Sequence, residues 1–163
     1  MTKPDDLRPS AAVHKNAEVR EATVTCPELN RMFYETVGSD WSWTSRLTWS
    51  ETRWQEYVGR PELRTWIGYL SETPMGYFEL ETQPNANVEI RIFGLLPSFL
   101  GKRLGSWFLT KAVQTAWTLE ANRVWVHTCS LDHPIALANY KARGFKQFKE
   151  ETHTAEEAAL GLA

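Results

Sequence analysis

Apolar and polar positions along the chain repeat with two different periods, and the changes of period mark its elements. Val19, Ala22 and Val24 suggest a first strand over 17–24. Thr25-Cys26-Pro27-Glu28 reads as a helix start, with Thr25 as cap, Pro27 in the first turn and Glu28 at capping-box spacing. Leu29, Met32, Phe33 and Thr36 continue it at helical spacing to Gly38. Residues 39–48 read as loop, and Ser50-Glu51-Thr52-Arg53 opens a short helix that ends near Gly59. Three strands are predicted next, over 65–70, 75–81 and 88–95, joined by turns at 71–74 and 82–87, which gives an antiparallel meander. A long helix over 101–121 carries the stripe Leu104, Phe108, Ala112, Ala116 and Leu119, which would pack on the sheet. The unalternating run 124–128 reads as a central strand covered on both faces. A helix follows, capped by Asp132, with Pro134 in its first turn and Gly144 at its end. Residues 145–150 can form a last strand.

The order β-α-α-β-β-β-α-β-α-β describes an α+β domain around one mixed, mostly antiparallel sheet. The expected organisation is a mobile polar segment over 1–16, one domain over 17–150, and an Ala/Glu-rich tail over 151–163. At 163 residues, 42% hydrophobic and 23% charged, the chain has the composition of a single globular domain. A net charge of −2 with no basic block argues against nucleic acid as partner. The lack of a long apolar run or signal-like start argues against a membrane, so a cytoplasmic location is the default. Cys26 and Cys129 stand alone, indicating neither a disulfide framework nor a metal site.

One connection stands out. The strand ending at Leu95 runs through Leu96-Pro97-Ser98-Phe99-Leu100-Gly101-Lys102-Arg103-Leu104-Gly105-Ser106 into the long helix. A glycine-bearing turn at a helix start presents unpaired N–H groups at the positive end of the helix dipole, which suits phosphate. Downstream, Tyr140 is followed at four and five residues by Gly144 and Phe145. In these two motifs the chain resembles the GNAT superfamily of acyl-CoA-dependent N-acyltransferases, whose phosphate loop reads Arg/Gln-x-x-Gly-x-Gly/Ala. Leu100, Arg103 and His133 depart from the usual residues, the last standing where many members have an Asn on the pantetheine arm.

The resemblance implies acetyl-CoA as co-substrate with no metal, and a small-molecule amine or peptide as acceptor. It implies that Gly101, Lys102, Arg103, Leu104, Gly105 and Ser106 hold the pyrophosphate. His133 and Asn139 would lie along the pantetheine arm, with the main chain at Phe93 and Leu95 bonding the thioester and amide groups. It gives Tyr140 the role of proton donor to the departing thiolate. Glu89, eleven residues before Leu100, stands where some members carry a catalytic base. His127 and His133 are alternatives, His127 reading more naturally as a core residue. A homodimer is compatible with the sequence, though no residue argues for one.

The hairpin adds a prediction of its own. Alternation puts Tyr77, Glu79 and Glu81 on one face, and Glu89, Arg91 and Phe93 on one face of the next strand. A turn centred on Pro84-Asn85 then pairs Glu81 with Glu89 and Glu79 with Arg91. With Arg91 on Glu79, Glu89 is left poised to accept a proton; Arg91 on Glu89 would make it a poor base. The Trp-rich stretch 40–49 offers Trp41 and Trp43 to a cationic or aromatic acceptor, and Arg46 to an acceptor carboxylate or only to a local acid. Stapling of the loop to the core is an equal reading of the same residues. Three functions remain open on the sequence: an N-acetyltransferase working by direct transfer in a ternary complex, a non-catalytic acyl-CoA-binding domain, and, more weakly, a protein-interaction domain that uses the Trp-rich loop.

Overall fold

A computed structural model describes residues 1–41 and 43–152. The predicted helical tail therefore lies almost wholly outside the described residues. Five strands form one sheet in the order β1 (Ala17–Glu21), β2 (Leu63–Leu70), β3 (Thr73–Gln83), β4 (Asn87–Leu95) and β5 (Arg123–Val126). The first three pairings are antiparallel and the last, β4 with β5, is parallel. The helices are α1 (Pro27–Gly38), α2 (Glu51–Val58), α3 (Leu104–Thr118) and α4 (Ala136–Ala142). This is the mixed α+β architecture that the periodicity predicts. No helix among the described residues is long and apolar enough to cross a membrane.

Alternation along β3 divides the molecule. Phe78 and Leu80 join the cluster built on Phe108, Leu109, Ala112 and Ala116 of α3. Their neighbour Tyr77 turns to the opposite face, where its ring stacks 5.0 Å from Phe33 of α1. Thus α1 and α2 cover one face, while α3 and α4 cover the other. Phe108 is the pivot of the second layer, fully buried, with Phe78 at 5.3 Å and Phe93 at 5.4 Å.

Some boundaries differ from the predicted ones. Helix α3 begins at Leu104 because Gly101 and Arg103 have φ of +74° and +58°, which no right-handed helix admits. It stops at Thr118, ahead of Glu120 at φ +56°. Ser50 caps α2 as predicted, accepting from the Arg53 N–H at 3.2 Å. The capping box at 25–28 does not form, since Cys26 rather than Thr25 is the cap residue and makes no side-chain bond. His127 falls past the end of β5 and is exposed, not a core residue.

The last strand expected over 145–150 is absent. The main chain of Met1 takes the edge of β5 instead, exchanging two hydrogen bonds with Val124 at 2.7 and 3.0 Å. Residues 1–16, expected to be loose, are docked along this side. Arg8 N–H donates to the Arg143 carbonyl, and Ser10 N–H to Thr110 Oγ1 on α3. Gly144, at φ +99°, lies so close beneath this segment that a Cβ would collide with the Asp6 carbonyl oxygen. Gly144→Ala is therefore expected to cost more than about 1–2 kcal/mol, the left-handed penalty alone. Urea denaturation checks this, and a change within error of zero would mean that the segment is not docked there.

Candidate active site

The site begins where two strands part. β4 pairs with β5 only from Asn87 to Ile90. At that point β4 carries a bulge: Leu80 faces Ile90, but the next residue of β3, Glu79, faces Ile92. Arg91 is the extra residue, with no opposite number. A bulge bends its strand, and β4 from Arg91 to Leu95 runs on without β5 beside it. Half of the backbone groups in this stretch point away from β3, into the gap. Phe93 and Leu95, the predicted thioester-binding positions, lie in this stretch. The Leu95 side chain is buried and the Phe93 ring packs on Phe108, so only main chain is offered there.

The chain then turns into α3. Gly101, Lys102 and Arg103 are exposed, and a Cβ built on Gly101 would meet no atom within 4 Å. The turn is therefore open at Gly101, with no atom of Arg103 within 4 Å of that point. The α3 N-terminus has no side-chain cap, so the N–H groups of Leu104, Gly105 and Ser106 have no carbonyl one turn below them. The Leu104 side chain is buried in the core, leaving its backbone alone for a ligand. The Ser106 hydroxyl is engaged with Ser10 Oγ and the Arg103 carbonyl. Lys102 Nζ lies 5.4 Å from the Phe99 ring.

Helix α4 closes the other side. Asn139 Nδ2 donates to the Gly105 carbonyl at 3.5 Å, tying α4 to the first turn of α3. Tyr140, next in sequence, is buried among the α3 cluster with Phe145 edge-on at 6.0 Å. Burial, then the nearby Asp132 charge, raise its phenol above the ordinary tyrosine value. Its hydroxyl makes no hydrogen bond among the described residues. Asp132, predicted as a helix cap, instead organises the segment after β5, accepting from Thr128 Oγ1 at 2.7 Å, Cys129 N–H at 3.1 Å and Trp43 Nε1 at 3.3 Å. His133 Nδ1 accepts from the Ile135 N–H at 3.2 Å.

The hairpin prediction is half met. Glu81 does face Glu89. Glu79, however, faces Ile92, and Arg91 binds both oxygens of Glu89 at 3.2 Å. The cause is the bulge. Inserting one residue shifts the alternation by one, so Ile90 faces α3, Ile92 faces α1 and α2, and Glu89 and Phe93 end on opposite faces. Gln83 Nε2 also donates to Glu89 at 2.7 Å, and its oxygen accepts from Trp125 Nε1 at 3.1 Å. Glu89 is 1% exposed. To take a proton it would have to release donors already bound.

Arg46, offered by the sequence to an acceptor carboxylate or to a local acid, meets the local acid: it binds Glu79 at 3.5 Å with both side chains buried. Glu79 also accepts from Tyr57 Oη at 2.6 Å and Asn30 Nδ2 at 2.7 Å. Burial opposes the Arg46 charge, but Glu79 and the surrounding phenols outweigh it, and its pKa lies above the usual arginine value. The Tyr57 phenol is likewise raised, by burial and then by Glu79. Trp41 rests on His133, ring centroids 4.5 Å apart. Trp43 lies over Gly38 and Gly94 and reaches Asp132. These two indoles thus span from the β4 side to the segment after β5. Asn30, Tyr57, Gln83 and Asp132 were not anticipated in these roles. Trp54, Tyr57 and Val58, at helical spacing on α2, carried the one signal that would have turned Tyr57 inward.

An open glycine turn at a helix without a side-chain cap thus lies beside a strand that β5 no longer accompanies. The chain belongs to the acetyltransferase (GNAT) family, whose model matches residues 25–145. Among solved structures it is similar to an aminoglycoside acetyltransferase, meta-AAC0020, from an uncultured soil metagenomic sample, in complex with trehalose. That match has 10% identity and a TM-score of 0.67, covering 85% of this chain and 94% of that one. It is similar also to AAC(6')-Iy in complex with the bisubstrate analogue CoA-S-monomethyl-acetylneamine, at 16% identity and TM-score 0.62, covering 85% and 96%. A transcriptional regulator from Bacillus halodurans C-125 matches at 17% identity and TM-score 0.67, covering 85% and 98%. No curated protein matches the chain by sequence.

Two substitutions test this geometry. Glu89→Gln is expected to cost about 2 kcal/mol of stability, because Arg91 loses a charged acceptor. It should leave the turnover number within roughly tenfold of wild type, well short of the loss from removing a general base. A folded variant slowed a hundredfold or more would give Glu89 the base role. Arg103→Gly should raise stability by about 1 kcal/mol by relieving its left-handed backbone. It should also weaken acetyl-CoA binding severalfold if the guanidinium pairs with phosphate. Unchanged affinity by calorimetry would limit Arg103 to its main chain.

Proposed function

We propose that the protein is an N-acetyltransferase that moves the acetyl group of acetyl-CoA to a primary amine by direct attack within a ternary complex. The observation that carries this reading is the continuity of the open Gly101 turn, the uncapped start of α3 and the unpaired backbone of β4. These fit a pyrophosphate followed by an extended, amide-rich arm. Acetyl-CoA supplies the acetyl group as an activated thioester and leaves as CoA.

The chain's own groups divide the work. The N–H groups of Gly101 to Ser106, with the dipole of α3, hold phosphate. Main-chain donors at Phe93 to Leu95 bond the carbonyl oxygen as charge gathers on it. Tyr140 keeps its proton through neutral pH and gives it to the sulfur as the C–S bond breaks and the C–N bond forms. The proton lost by the amine goes to solvent, and no side chain is assigned as its base. Trp41 and Trp43 face the amine, and aromatic faces suit a cation. AAC(6')-Iy, with its acetylneamine-bearing analogue, makes a small polyamine a reasonable first acceptor to try.

The test is release of free CoA from acetyl-CoA on adding sisomicin, spermidine or a short peptide with a free N-terminus. Amine-dependent release supports the reading. Calorimetric uptake of acetyl-CoA with no release across the panel would favour the non-catalytic alternative. Tyr140→Phe should lower the turnover number by about a hundredfold, the usual worth of a positioned acid, and leave acetyl-CoA affinity unchanged. Because burial raises the Tyr140 phenol, the acid form persists as pH rises. The rate should therefore not fall on the alkaline side until beyond about pH 10, the ordinary tyrosine value. A decline well below that pH would assign the acid to another group.

A further inference from the structure

We infer that the buried Arg46–Glu79 pair is a positioning device for the acceptor site: it fixes the connection between α1 and α2 so that Trp41 and Trp43 stand across the gap between β4 and β5. This rests on the acetyltransferase reading above and specifies what holds its acceptor side in place.

The backbone of this connection makes only local hydrogen bonds among the described residues. Trp41 N–H donates to Gly38, Leu47 N–H to Thr44 and Trp49 N–H to Arg46. None reaches the sheet. Its ties to the rest of the site are side chains: Trp41 on His133, Trp43 on Asp132 and over Gly94 of β4, and Arg46 on Glu79. Trp43 meets the sheet by apolar contact, whereas Arg46 alone, among the described residues of the connection, makes a polar contact with it. Apolar contacts tolerate sliding, whereas a guanidinium meeting a carboxylate is directional.

Both partners of this contact are themselves held. Glu79 is fully buried in mid-strand and fixed by Asn30 and Tyr57. The Arg46 guanidinium carbon lies 4.2 Å from the Tyr57 ring centroid, 5.1 Å from Trp49 and 5.3 Å from Tyr34. Both side chains of the pair are buried, so neither residue is open to substrate. Removing one charge strands the other in a dry interior, where a lone ion is not tolerated. Arg46 must then move toward water, and Trp43, three residues earlier, moves with it.

The experiment compares Glu79→Gln, Arg46→Met and the double variant with wild type, using whichever of sisomicin, spermidine or the peptide releases CoA. Each single variant is expected to raise the acceptor KM by roughly tenfold or more, as misplacement of a binding group does. The acetyl-CoA KM should stay within about twofold. The double variant should be no worse than either single one, because the two residues act as a unit. Arg46→Lys keeps the charge but loses the fork, and should raise the acceptor KM by an intermediate factor. If the single variants do not fold, Arg46→Lys decides alone. An unmoved acceptor KM in a folded variant, or strictly additive effects, would overturn the positioning role and leave the acetyltransferase reading intact. Wild-type protein that releases no CoA with any amine would overturn both.

Discussion

Strand β4 cannot serve two neighbours along its whole length, and the site follows from that constraint. Up to Ile90 it is bonded on both sides. The extra residue at Arg91 bends it, and beyond that point β5 no longer accompanies it. A backbone that has lost its partner deep in a sheet must be satisfied by something else. Immediately afterwards the chain passes through an open glycine turn into a helix that no side chain caps. Two sets of unmet main-chain groups thus lie end to end. That coincidence, more than any single side chain, is what the proposed acetyl-CoA site rests on.

The face toward α1 and α2 shows the opposite principle. Three carboxylates lie on it, Glu79, Glu81 and Glu89, and each is met by arginine: Arg46 on Glu79, Arg60 on Glu81 at 2.9 Å, and Arg91 on Glu89. Buried charge is admissible only when so compensated. The result is a polar layer with little capacity left for exchanging protons with a substrate. The candidate proton donor, Tyr140, sits on the other side of the sheet, and its hydroxyl makes no hydrogen bond among the described residues. In the proposed reading charge here serves placement, and the chemistry is left to main-chain donors and one phenol.

Much of this was legible in the sequence. Periodicity located the five strands and four helices, because each element buries one face and its spacing records which. The Pro84-Asn85 turn fixed the Glu81–Glu89 register, since hairpin pairing is set by its turn. The bulge was not legible. Arg91 is neither glycine nor proline, and one extra residue in a strand leaves no mark in composition. That single insertion undid the Glu79–Arg91 pairing and turned Phe93 to the face opposite Glu89. The Arg46–Glu79 pair joins residues 33 apart, and only tertiary packing decides that an arginine in a loop is swallowed. The docking of residues 1–16 and the loss of the last strand are likewise linked, for the edge that strand would have used is bonded to Met1.

The account stands most directly on the bulge. A chain lacking Arg91 would let Glu89, Ile90 and Ile92 face Glu81, Leu80 and Glu79 in unbroken register, with every remaining side chain on its present face. Titrating acetyl-CoA into this variant and into wild type by calorimetry tests whether the parting of β4 and β5 makes the site. Wild type should bind one equivalent, and the folded variant should bind at least about tenfold more weakly, a loss of roughly 1.4 kcal/mol. Equal affinity in the two proteins would contradict the claim that the bulge opens the slot.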